Sequence, residues 1–565
     1  MILRKGKKMN RFFSVILLVV SILIMGFSFP SRTVEAVTEE ASVPEDGCYI
    51  GVFREGSPAN MEFIKAFERT FDKKPAMVMW YLDYSYDFPT ASCAKVDAYG
   101  AVPHIVWEPW IWGNEESINL DVILGGGYDV YMKNWAKDAK KYGKTVFVRW
   151  GHEFNIKKYP WGVPSNDSDP QKYIKAVRHV GDIFKKEKAD NVKWIWCFNN
   201  YPEPDAVWNE YEKAYPGDDY VDWIGIDGYN WGTTQSWSGW ETFAVLFKNQ
   251  VRSTSRSHPG KPIMIAEFGS TEDDKDPNAK ARWIKEIPDA LKISMKQVKA
   301  IVLFDVMKEC DWRSNSCKAT ETAYKQMLSD PFFLSDAKSI ANLKVKTASN
   351  EKKKAKAKKA VKPLKLDGDL GEWSDSSPIV LSGREMLKEG SVWFGDKDVS
   401  GKVYIKWDNE YLYVAADVDD NMPFSNSRKD ADIWNGDAIE VVIGLDNEAP
   451  KERDYMSNQD YQIGFGSGDG GMNKPSIWIW KKRRSPKGGE ITAMRKVDPQ
   501  GYILEAKVPW AELGGFSPKA GIKLGFDVAI DDADVKFERK AQLVWSGDYL
   551  FYKDPSVWGE IELIN

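Results

Sequence analysis

The sequence predicts an α/β fold: a (β/α)₈ TIM barrel, followed by a Lys-rich linker and an all-β sandwich domain. Three observations predict this order. Eight short apolar runs alternate with longer, mostly helical segments; lysines then crowd residues 352–362; beyond them apolar and polar residues alternate with period two. Since 565 residues are too many for one core, separate domains are expected. We predict the barrel over 45–335, the linker over 336–363 and the sandwich over 364–565.

A secretory signal peptide is predicted over residues 1–36. Five of the first eleven residues are basic, the run Phe12–Met25 is apolar, and "VEA" at 34–36 offers a small-residue cleavage site. The alternative is an uncleaved anchoring helix, but the apolar run is short for a membrane span. We therefore expect a secreted, extracellular protein that is free of the membrane after cleavage.

Eight apolar runs give the barrel strands. They are "CYIGVF", "AMVMWYL", "AVPHIVW", "KTVFVRW", "VKWIWCF", "VDWIGID", "PIMIAEF" and "AIVLFDV". A helix is predicted to begin at Pro170 after the cap residue Asp169, with Ile174, Val177 and Val180 on one face. Continuous apolar strands are typical of a parallel sheet covered by helices. An open doubly wound sheet is the alternative, but eight units is the number of a barrel.

The residue pattern changes in the second half of the chain. Seven lysines between residues 352 and 362, diluted mainly with Ala and Val, predict a solvated, self-repelling linker. A basic arm for an anionic polymer is the alternative. "KVYIKWDNEYLYVAADV" (402–418) then indicates two strands around an Asp-Asn turn, and similar short runs follow. This spacing is typical of a β-sandwich.

The amino-acid composition and the motifs exclude several classes of function. The net charge is −5 and no basic domain carries interleaved aromatic residues, so nucleic acid is not an expected partner. The 25 Trp and 24 Tyr must fill cores or line surfaces for flat, weakly polar ligands. Five cysteines exclude a complete disulfide framework, while leaving Cys310–Cys317 and Cys48–Cys93 as candidate pairs. No serine-hydrolase, nucleotide-binding or zinc motif appears, so no catalytic cofactor is expected.

Two glutamates end barrel strands, where the active sites of such barrels lie. Glu153 follows the fourth strand in "RWGHEFN", and Glu267 ends the seventh in "IAEFGS". Cleavage of a glycosidic bond with retention needs one protonated carboxyl and one carboxylate facing each other, about 5 Å apart. These two residues are the predicted catalytic pair. Glu108, at the end of the third strand, is the alternative to Glu153.

Other polar and aromatic residues share these strand ends. Arg149 could orient a carboxylate by bidentate pairing, and Tyr229 could donate a hydrogen bond to the nucleophile. His152 could donate to a substrate, and Asp227 alternates with Tyr229 along the sixth strand. Asn199 and Asn200 could read sugar hydroxyls at the mouth of the fifth strand. The tryptophans that could stack on pyranose rings, with core packing as the alternative, are Trp107, Trp110, Trp112, Trp161, Trp231 and Trp312.

The motifs "VRWGHEFN", "VDWIGIDGYNWG" and "KPIMIAEFGS" resemble glycoside hydrolase family 26 over about residues 47–330. The resemblance implies a retaining endo-β-1,4-mannanase acting on mannan or glucomannan, with Glu153 as acid/base and Glu267 as nucleophile. It also implies that Tyr229 contacts the nucleophile and His152 the substrate. Phe154 replaces the usual Met, and Lys158 stands where an aromatic residue is common. A β-1,3-1,4-glucanase and a non-catalytic polysaccharide-binding barrel are the alternatives.

The motifs "LDGDLGEW", "YLYVAADVDD" and "IWNGDAIEVVI" resemble carbohydrate-binding module family 9 over about 365–565. The resemblance implies a sugar clamped between two tryptophans and structural Ca²⁺. Trp434 matches one clamp position; the second is Trp545 or Trp558, and no calcium ligand is named, although Asp417 and Asp419 are of suitable type. We expect a monomer whose binding domain holds the enzyme on a β-glycan polysaccharide through a flexible tether.

Overall fold

The computed structural model describes residues 47–114, 118–341, 343, 352–389, 393–446, 453–534 and 538–565. The predicted signal peptide lies outside these residues. Within them, no helix has the length and apolar character that crossing a membrane requires. All five cysteines lie in the described part of the chain, and each is free, so neither candidate pair forms a disulfide.

The first domain is a closed barrel of eight parallel strands, each paired with the next, with β1 also paired to β8 and β2. The strands are β1 Cys48–Phe53, β2 Met77–Asp83, β3 Val102–Glu108, β4 Val146–Trp150, β5 Val192–Asn199, β6 Trp223–Asn230, β7 Ile263–Ser270 and β8 Val298–Phe304. The helices are α1 Glu62–Phe71, α2 Thr90–Tyr99, α3 Leu120–Leu124, α4 Asp129–Tyr142, α5 Pro170–Glu187, α6 Phe243–Ser257, α7 Ala279–Asp289 and α8 Lys318–Leu328. The predicted barrel is confirmed.

The apolar runs are continuous because both faces of each strand are buried. One layer of side chains, including Met79, Phe147 and Met264, fills the barrel interior. The other packs between the strands and the surrounding helices. Helix α5 begins as predicted: the Asp169 side chain accepts a hydrogen bond from the backbone N–H of Gln171, with Pro170 at the first helical position.

The second domain is all-β, as predicted. After β9 Phe333–Leu334, which pairs with β1, and α9 Ala337–Ala341, the strands are β10 Lys354–Lys359, β11 Ile379–Leu381, β12 Leu387–Glu389, β13 Val399–Trp407, β14 Tyr411–Asp420, β15 Ala438–Gly444, β16 Asp460–Gly466, β17 Ser476–Ile479, β18 Glu490–Val497, β19 Gln500–Pro509, β20 Lys523–Asp532, β21 Ala541–Val544 and β22 Gly559–Ile564. Its core is mainly aliphatic, with Val414, Val441 and Leu504 among its members, and also contains aromatic residues such as Trp407 and Phe526.

The Lys-rich segment is not a solvated linker where the structure describes it. Strand β10 pairs in parallel with β22 and β13 of the second domain. The reason is its "KAKAKK" alternation: Ala357 is fully buried, Lys354 and Lys356 point to solvent, and the Lys359 ammonium lies over the Trp407 ring. Charge density suggested a chain that repels itself, but the period-two pattern of small apolar residues decides the conformation.

The two domains contact each other through α6. Arg252 binds Asp548 at 2.5 Å and also pairs with Asp554. Arg256 binds the same Asp554 carboxylate at 2.8 Å, and the Tyr549 hydroxyl donates to Asn249 at 2.8 Å. Both domains belong to one structural unit, Val43–Asn565. The segment 548–554 is therefore attached to the outer surface of the barrel by charge-assisted hydrogen bonds.

Candidate active site

Three donors surround the Glu267 carboxylate, which lies in β7. The Tyr81 hydroxyl, from β2, donates to Oε1 at 2.5 Å, and the Tyr229 hydroxyl, from β6, donates to Oε2 at 2.5 Å. The Arg149 guanidinium also donates to Oε1 through Nη2. Because all three groups offer a hydrogen and one carries a positive charge, this carboxylate is held in place and can present an oxygen to an electrophile.

Arg149 is itself held by a second carboxylate. Its Nη1 donates to both oxygens of Asp227, at 2.7 and 2.5 Å, and both side chains are fully buried. Burial alone would lower the pKa of Arg149, but Asp227 and Glu267 together raise it well above its usual value. The guanidinium is therefore a fixed positive charge, aligned by Asp227 and directed at Glu267.

Glu153 lies in a different environment, just beyond β4. It is a buried residue with a positive φ of 49°, an uncommon conformation that concentrates at functional sites. Its Oε1 accepts one hydrogen bond, from the Asn199 amide at 2.7 Å. Burial raises the pKa of Glu153, and the nearby negative charge of Glu267 raises it further. This carboxyl is therefore suited to hold a proton.

The two glutamates thus have opposite roles built into their surroundings. Glu267 is surrounded by hydrogen-bond donors, one of which is a cation. Glu153 is buried near the negative charge of Glu267. A pair of carboxyl groups whose environments separate them in this way divides into an acid and a base or nucleophile. The site can therefore protonate a leaving oxygen with Glu153 and attack with Glu267.

His152 precedes Glu153 and is buried among aromatic rings. Burial lowers its pKa well below the usual value, and Arg149 lowers it further, so the imidazole is neutral. The rings of Tyr159 and Trp161 lie 4.9 and 5.7 Å from it, and the Trp161 indole N–H donates to the His152 carbonyl at 2.7 Å. A neutral imidazole here can exchange a hydrogen bond with a hydroxyl group but adds no charge.

In the second domain the expected tryptophan clamp is not formed by the predicted pair. Trp434 is half-buried, and the Arg539 guanidinium lies 4.8 Å from its ring centre. Trp545 is buried against Phe526, and Trp558 is buried with its N–H donating to the Phe551 carbonyl. Neither Trp545 nor Trp558 offers a face to a sugar, because both fill the core. The prediction of Trp545 as a binding residue is corrected.

Three buried carboxylates of this domain converge. Ligand oxygens of Asp420, Asp437 and Asp532 lie within 4.8 Å of one another, and Asp532 Oδ1 has no hydrogen-bond donor. Burial raises the pKa of Asp420 to about 6 and that of Asp532 to about 8. The only donors to the Asp437 carboxylate that the described residues supply are the backbone N–H groups of Ser425 and Ala533.

An all-oxygen, buried and negatively charged cluster of this kind matches the coordination that Ca²⁺ prefers. The sequence pointed to acidic residues of this domain without naming ligands. Asp417 and Asp419, which are of the right type, bind the Lys496 ammonium instead. The deeper set of Asp420, Asp437 and Asp532 offers the same type of ligand, and it also has a lysine nearby, since the Lys540 ammonium lies 3.0 Å from Asp532 Oδ2.

Comparisons with known proteins agree with both predicted resemblances. The model of Glycosyl hydrolase family 26 matches residues 128–256, and that of Carbohydrate family 9 binding domain-like matches residues 367–565. Endoglucanase H of Acetivibrio thermocellus is 38% identical over 280 residues, covering 48% of this chain and 29% of that protein. The chain thus spans less than a third of this curated relative.

Further relatives each match only a part of this chain. Endo-1,4-beta-xylanase A of Thermotoga maritima is 29% identical over 201 residues, covering 35% of this chain and 17% of that protein. A GH26 β-mannanase structure from Bacteroides ovatus is 16% identical with a TM-score of 0.39, covering 51% of this chain and 90% of that one. A family 9 module from Caldicellulosiruptor kristjanssonii, solved with cellotriose, is 17% identical with a TM-score of 0.29, covering 38% of this chain and 94% of that one.

Several predicted substrate contacts of the barrel lie behind the site rather than in it. Arg149 and Asp227 are fully buried, so the prediction that they touch substrate is corrected: they position Glu267. The Asn200 amide faces α6 and donates to the Leu246 carbonyl at 3.1 Å, whereas its neighbour Asn199 holds Glu153. Adjacent residues on an extended chain point to opposite sides, which decides between the two amides.

The predicted tryptophans divide by depth. Trp161 and Trp312 are almost fully buried; the first supports His152, and the second lies against Tyr229 with ring centres 4.9 Å apart. For these two, core packing describes the ring better than an open stacking surface. Trp110 and Trp231 are half-buried at the mouth and remain predicted sugar contacts.

One contact of Glu267 was missed. Tyr81 donates to Glu267 as closely as the predicted Tyr229 does. The signal was present in β2, where Tyr81 lies two residues before the last position and two after Met79, which fills the barrel interior. Glu108, the alternative acid, instead accepts hydrogen bonds from two indole groups, those of Trp110 at 2.9 Å and Trp112 at 2.7 Å.

Proposed function

We propose that this protein is a secreted, retaining endo-β-glycanase with an appended carbohydrate-binding domain. The observation that carries the proposal is the contrast between the two glutamates. Glu267 has three donors, one of them cationic, while burial and the charge of Glu267 raise the pKa of Glu153. The family 26 match adds independent support for hydrolysis of glycosidic bonds. Export rests on the N-terminal sequence pattern alone.

In the first step, Glu267 attacks the anomeric carbon while Glu153 gives its proton to the glycosidic oxygen, and the bond between that carbon and oxygen breaks. As the new ester forms, the negative charge on Glu267 disappears. The hydrogen bonds from Tyr81 and Tyr229 keep its oxygens in place during the attack, and Asp227 retains the Arg149 guanidinium as its partner when Glu267 becomes neutral.

In the second step, Glu153, now ionised, removes a proton from water, which attacks the same carbon and releases Glu267. Two displacements at one carbon restore its configuration. The neutral His152 beside Glu153 can hydrogen-bond a sugar hydroxyl without disturbing the charge balance between the two carboxyl groups.

Two substrate classes have support. The family resemblance favours β-1,4-mannan or glucomannan. The 38% identity to a protein named Endoglucanase H favours a β-glucan instead, such as the mixed-linkage polymer. Mannosyl and glucosyl units differ at the 2-hydroxyl, so the residues that meet this group next to the catalytic pair decide the preference.

The second domain is proposed to hold the enzyme on the same polysaccharide, with Trp434 as one contact. We further propose that Asp420, Asp437 and Asp532 bind a structural Ca²⁺. The cation would balance three converging carboxylates and join β14, β20 and the start of β15. Its contribution would be to stability rather than to hydrolysis.

The test is reducing-sugar release from glucomannan, galactomannan and barley β-glucan, measured side by side with purified protein. We expect one of these polymers to be cleaved with initial products of retained anomeric configuration, which NMR reads directly. Glu267→Ala should lower the rate by at least several orders of magnitude. Products of inverted configuration, or hydrolysis by Glu267→Ala at the wild-type rate, would contradict the assignment.

A further inference from the structure

Two aromatic side chains stand exposed at one side of the barrel mouth. Tyr86 follows β2 and Trp112 follows β3, with 47% and 45% of their surfaces exposed. Their ring centres lie 5.8 Å apart. Large apolar rings that remain exposed as a cluster, beside a catalytic site, are typical of a surface that binds a ligand.

These rings are fixed rather than merely uncovered. The Trp112 indole N–H donates to the buried Glu108 carboxylate at 2.7 Å, and its backbone N–H donates to the buried Asp83 at 2.6 Å. The Tyr131 hydroxyl donates to the Tyr86 carbonyl at 2.6 Å. Because the buried Glu108 accepts the indole N–H, what Trp112 leaves for solvent is mainly its apolar ring faces. Burying two carboxylates is costly and is not needed to hold an ordinary surface tryptophan.

The exposed pair is continuous with the catalytic centre. Glu108 Oε2 also accepts the Trp110 indole N–H at 2.9 Å. Trp110 in turn contacts Tyr159 and Trp161 edge to face, and both of those rings lie against His152. Rings in contact therefore lead outward from His152 to Trp110, and the shared Glu108 carboxylate links Trp110 to the exposed Trp112.

A second row leads outward from the nucleophile. Trp312 lies between Tyr229 and Trp231, and Trp231 contacts Trp237, with ring centres 5.6 Å apart. Trp237 is 71% exposed. The loop that carries it is tied down because the Asn230 side chain accepts from the backbone N–H groups of Gly232 and Glu241.

The strand order places these two rows on opposite sides of the catalytic pair. In a closed ring of eight strands, β2 and β6 lie across from each other. The first row starts after β2 and β3, and the second starts after β6. A polysaccharide chain lying across the mouth would meet exposed aromatic faces at both ends of the cleft.

We propose that Tyr86 with Trp112, and Trp237 across the mouth, form two outer sugar-binding platforms, and that Glu108 is the positioning residue of the first. The inference rests on the proposed function and deepens it: a site with platforms on both sides of the cleaved bond binds internal stretches of a chain and cleaves there. Ring faces contact the apolar faces of pyranose rings and tolerate different hydroxyl configurations.

The test uses whichever of the three polymers the wild-type protein cleaves fastest. Trp112→Ala and Trp237→Ala should each raise KM for the polymer about tenfold, with kcat lowered less than twofold, because binding far from the reacting bond is removed. The increase should shrink on the shortest oligosaccharide that the enzyme cleaves. Glu108→Ala should reproduce the KM increase of Trp112→Ala, and Glu108→Gln, which keeps an acceptor oxygen, should restore most of it.

Tyr220→Ala is the matched control, since this half-buried aromatic residue precedes β6 at the opposite end of the barrel; its KM should equal that of wild type. If the wild-type protein cleaves no β-glycan, the proposed function fails. If it cleaves a polymer but Trp112→Ala and Trp237→Ala keep the wild-type KM, the platforms fail while the function stands. A Glu108→Ala variant that loses kcat rather than KM would refute its positioning role.

Discussion

The buried triad of Asp227, Arg149 and Glu267 allows stability and catalysis to be separated. Asp227→Ala leaves the guanidinium paired with Glu267 alone, whereas Arg149→Met leaves two buried carboxylates without their cation. Removing one partner of a buried ion pair costs about 3–5 kcal/mol. We expect Asp227→Ala near the lower figure and Arg149→Met near the upper one. At about 2 °C per kcal/mol for a domain of this size, Tm should fall by about 6 and 10 °C.

The double variant Asp227→Ala/Arg149→Met decides the reasoning. Both members of the buried pair are then gone, and the Met side chain fills part of the space. The double variant should therefore be more stable than the sum of the single changes predicts, by about 1–3 kcal/mol. It should still be almost inactive, because Glu267 has lost its cation and keeps only its two tyrosine donors.

The assay is thermal and urea unfolding followed by circular dichroism, with hydrolysis measured in parallel. Glu62→Ala, which breaks an exposed pair with Lys65 on α1, is the control and should leave Tm unchanged. Losses of stability that add up in the double variant would show that the buried charges of Asp227, Arg149 and Glu267 do not compensate one another. An Asp227→Ala protein as stable as wild type would show the same.

Three further predictions concern single residues. Glu153→Ala should lower polymer hydrolysis by about 10²–10⁴ but largely spare aryl glycosides whose leaving group needs no proton; equal losses on both would contradict the acid role. Asn199→Ala removes a hydrogen bond that lowers the pKa of Glu153, so the alkaline limb of kcat/KM should move to higher pH; a shift to lower pH would refute this. Ca²⁺ at 100 times its Kd should stabilise the second domain by about 2.7 kcal/mol, and chelation should reverse this in wild type but not in Asp437→Asn.

The fold could be predicted because the burial of each barrel strand is visible in the sequence as a continuous apolar run. A parallel strand covered on both faces must be apolar throughout, and runs such as "VKWIWCF" carry no competing signal. The two glutamates of the candidate site could be predicted for a related reason: a polar residue that interrupts or closely follows such a run lies near the barrel mouth. Glu153 lies three residues beyond the end of β4, and Glu267 lies within β7, three residues before its end.

Which neighbours face the substrate could not be predicted in the same way. Arg149 and Asp227 are polar residues within β4 and β6, and the sequence does not tell whether a strand residue points into the closed interior or toward the mouth. Asn199 and Asn200 are the same residue type and differ only in the side to which each side chain points. That side is set by the backbone conformation at the end of β5. The prediction of Trp545 as a sugar-binding residue was wrong for another reason. A tryptophan in an alternating apolar and polar pattern is equally suited to the core of a sandwich.

The corrected linker changes how the two domains are expected to cooperate. A flexible tether would raise the local concentration of substrate while letting the binding domain sample many orientations. In the structure, β10 belongs to the sandwich, and Asp554 binds both Arg252 and Arg256 of α6. A domain attached in this way presents its ligands at a fixed distance and angle from the barrel mouth. Binding would then favour those stretches of a polysaccharide that reach both sites in one conformation. The second domain would thus select among substrate stretches as well as raise the local concentration of substrate.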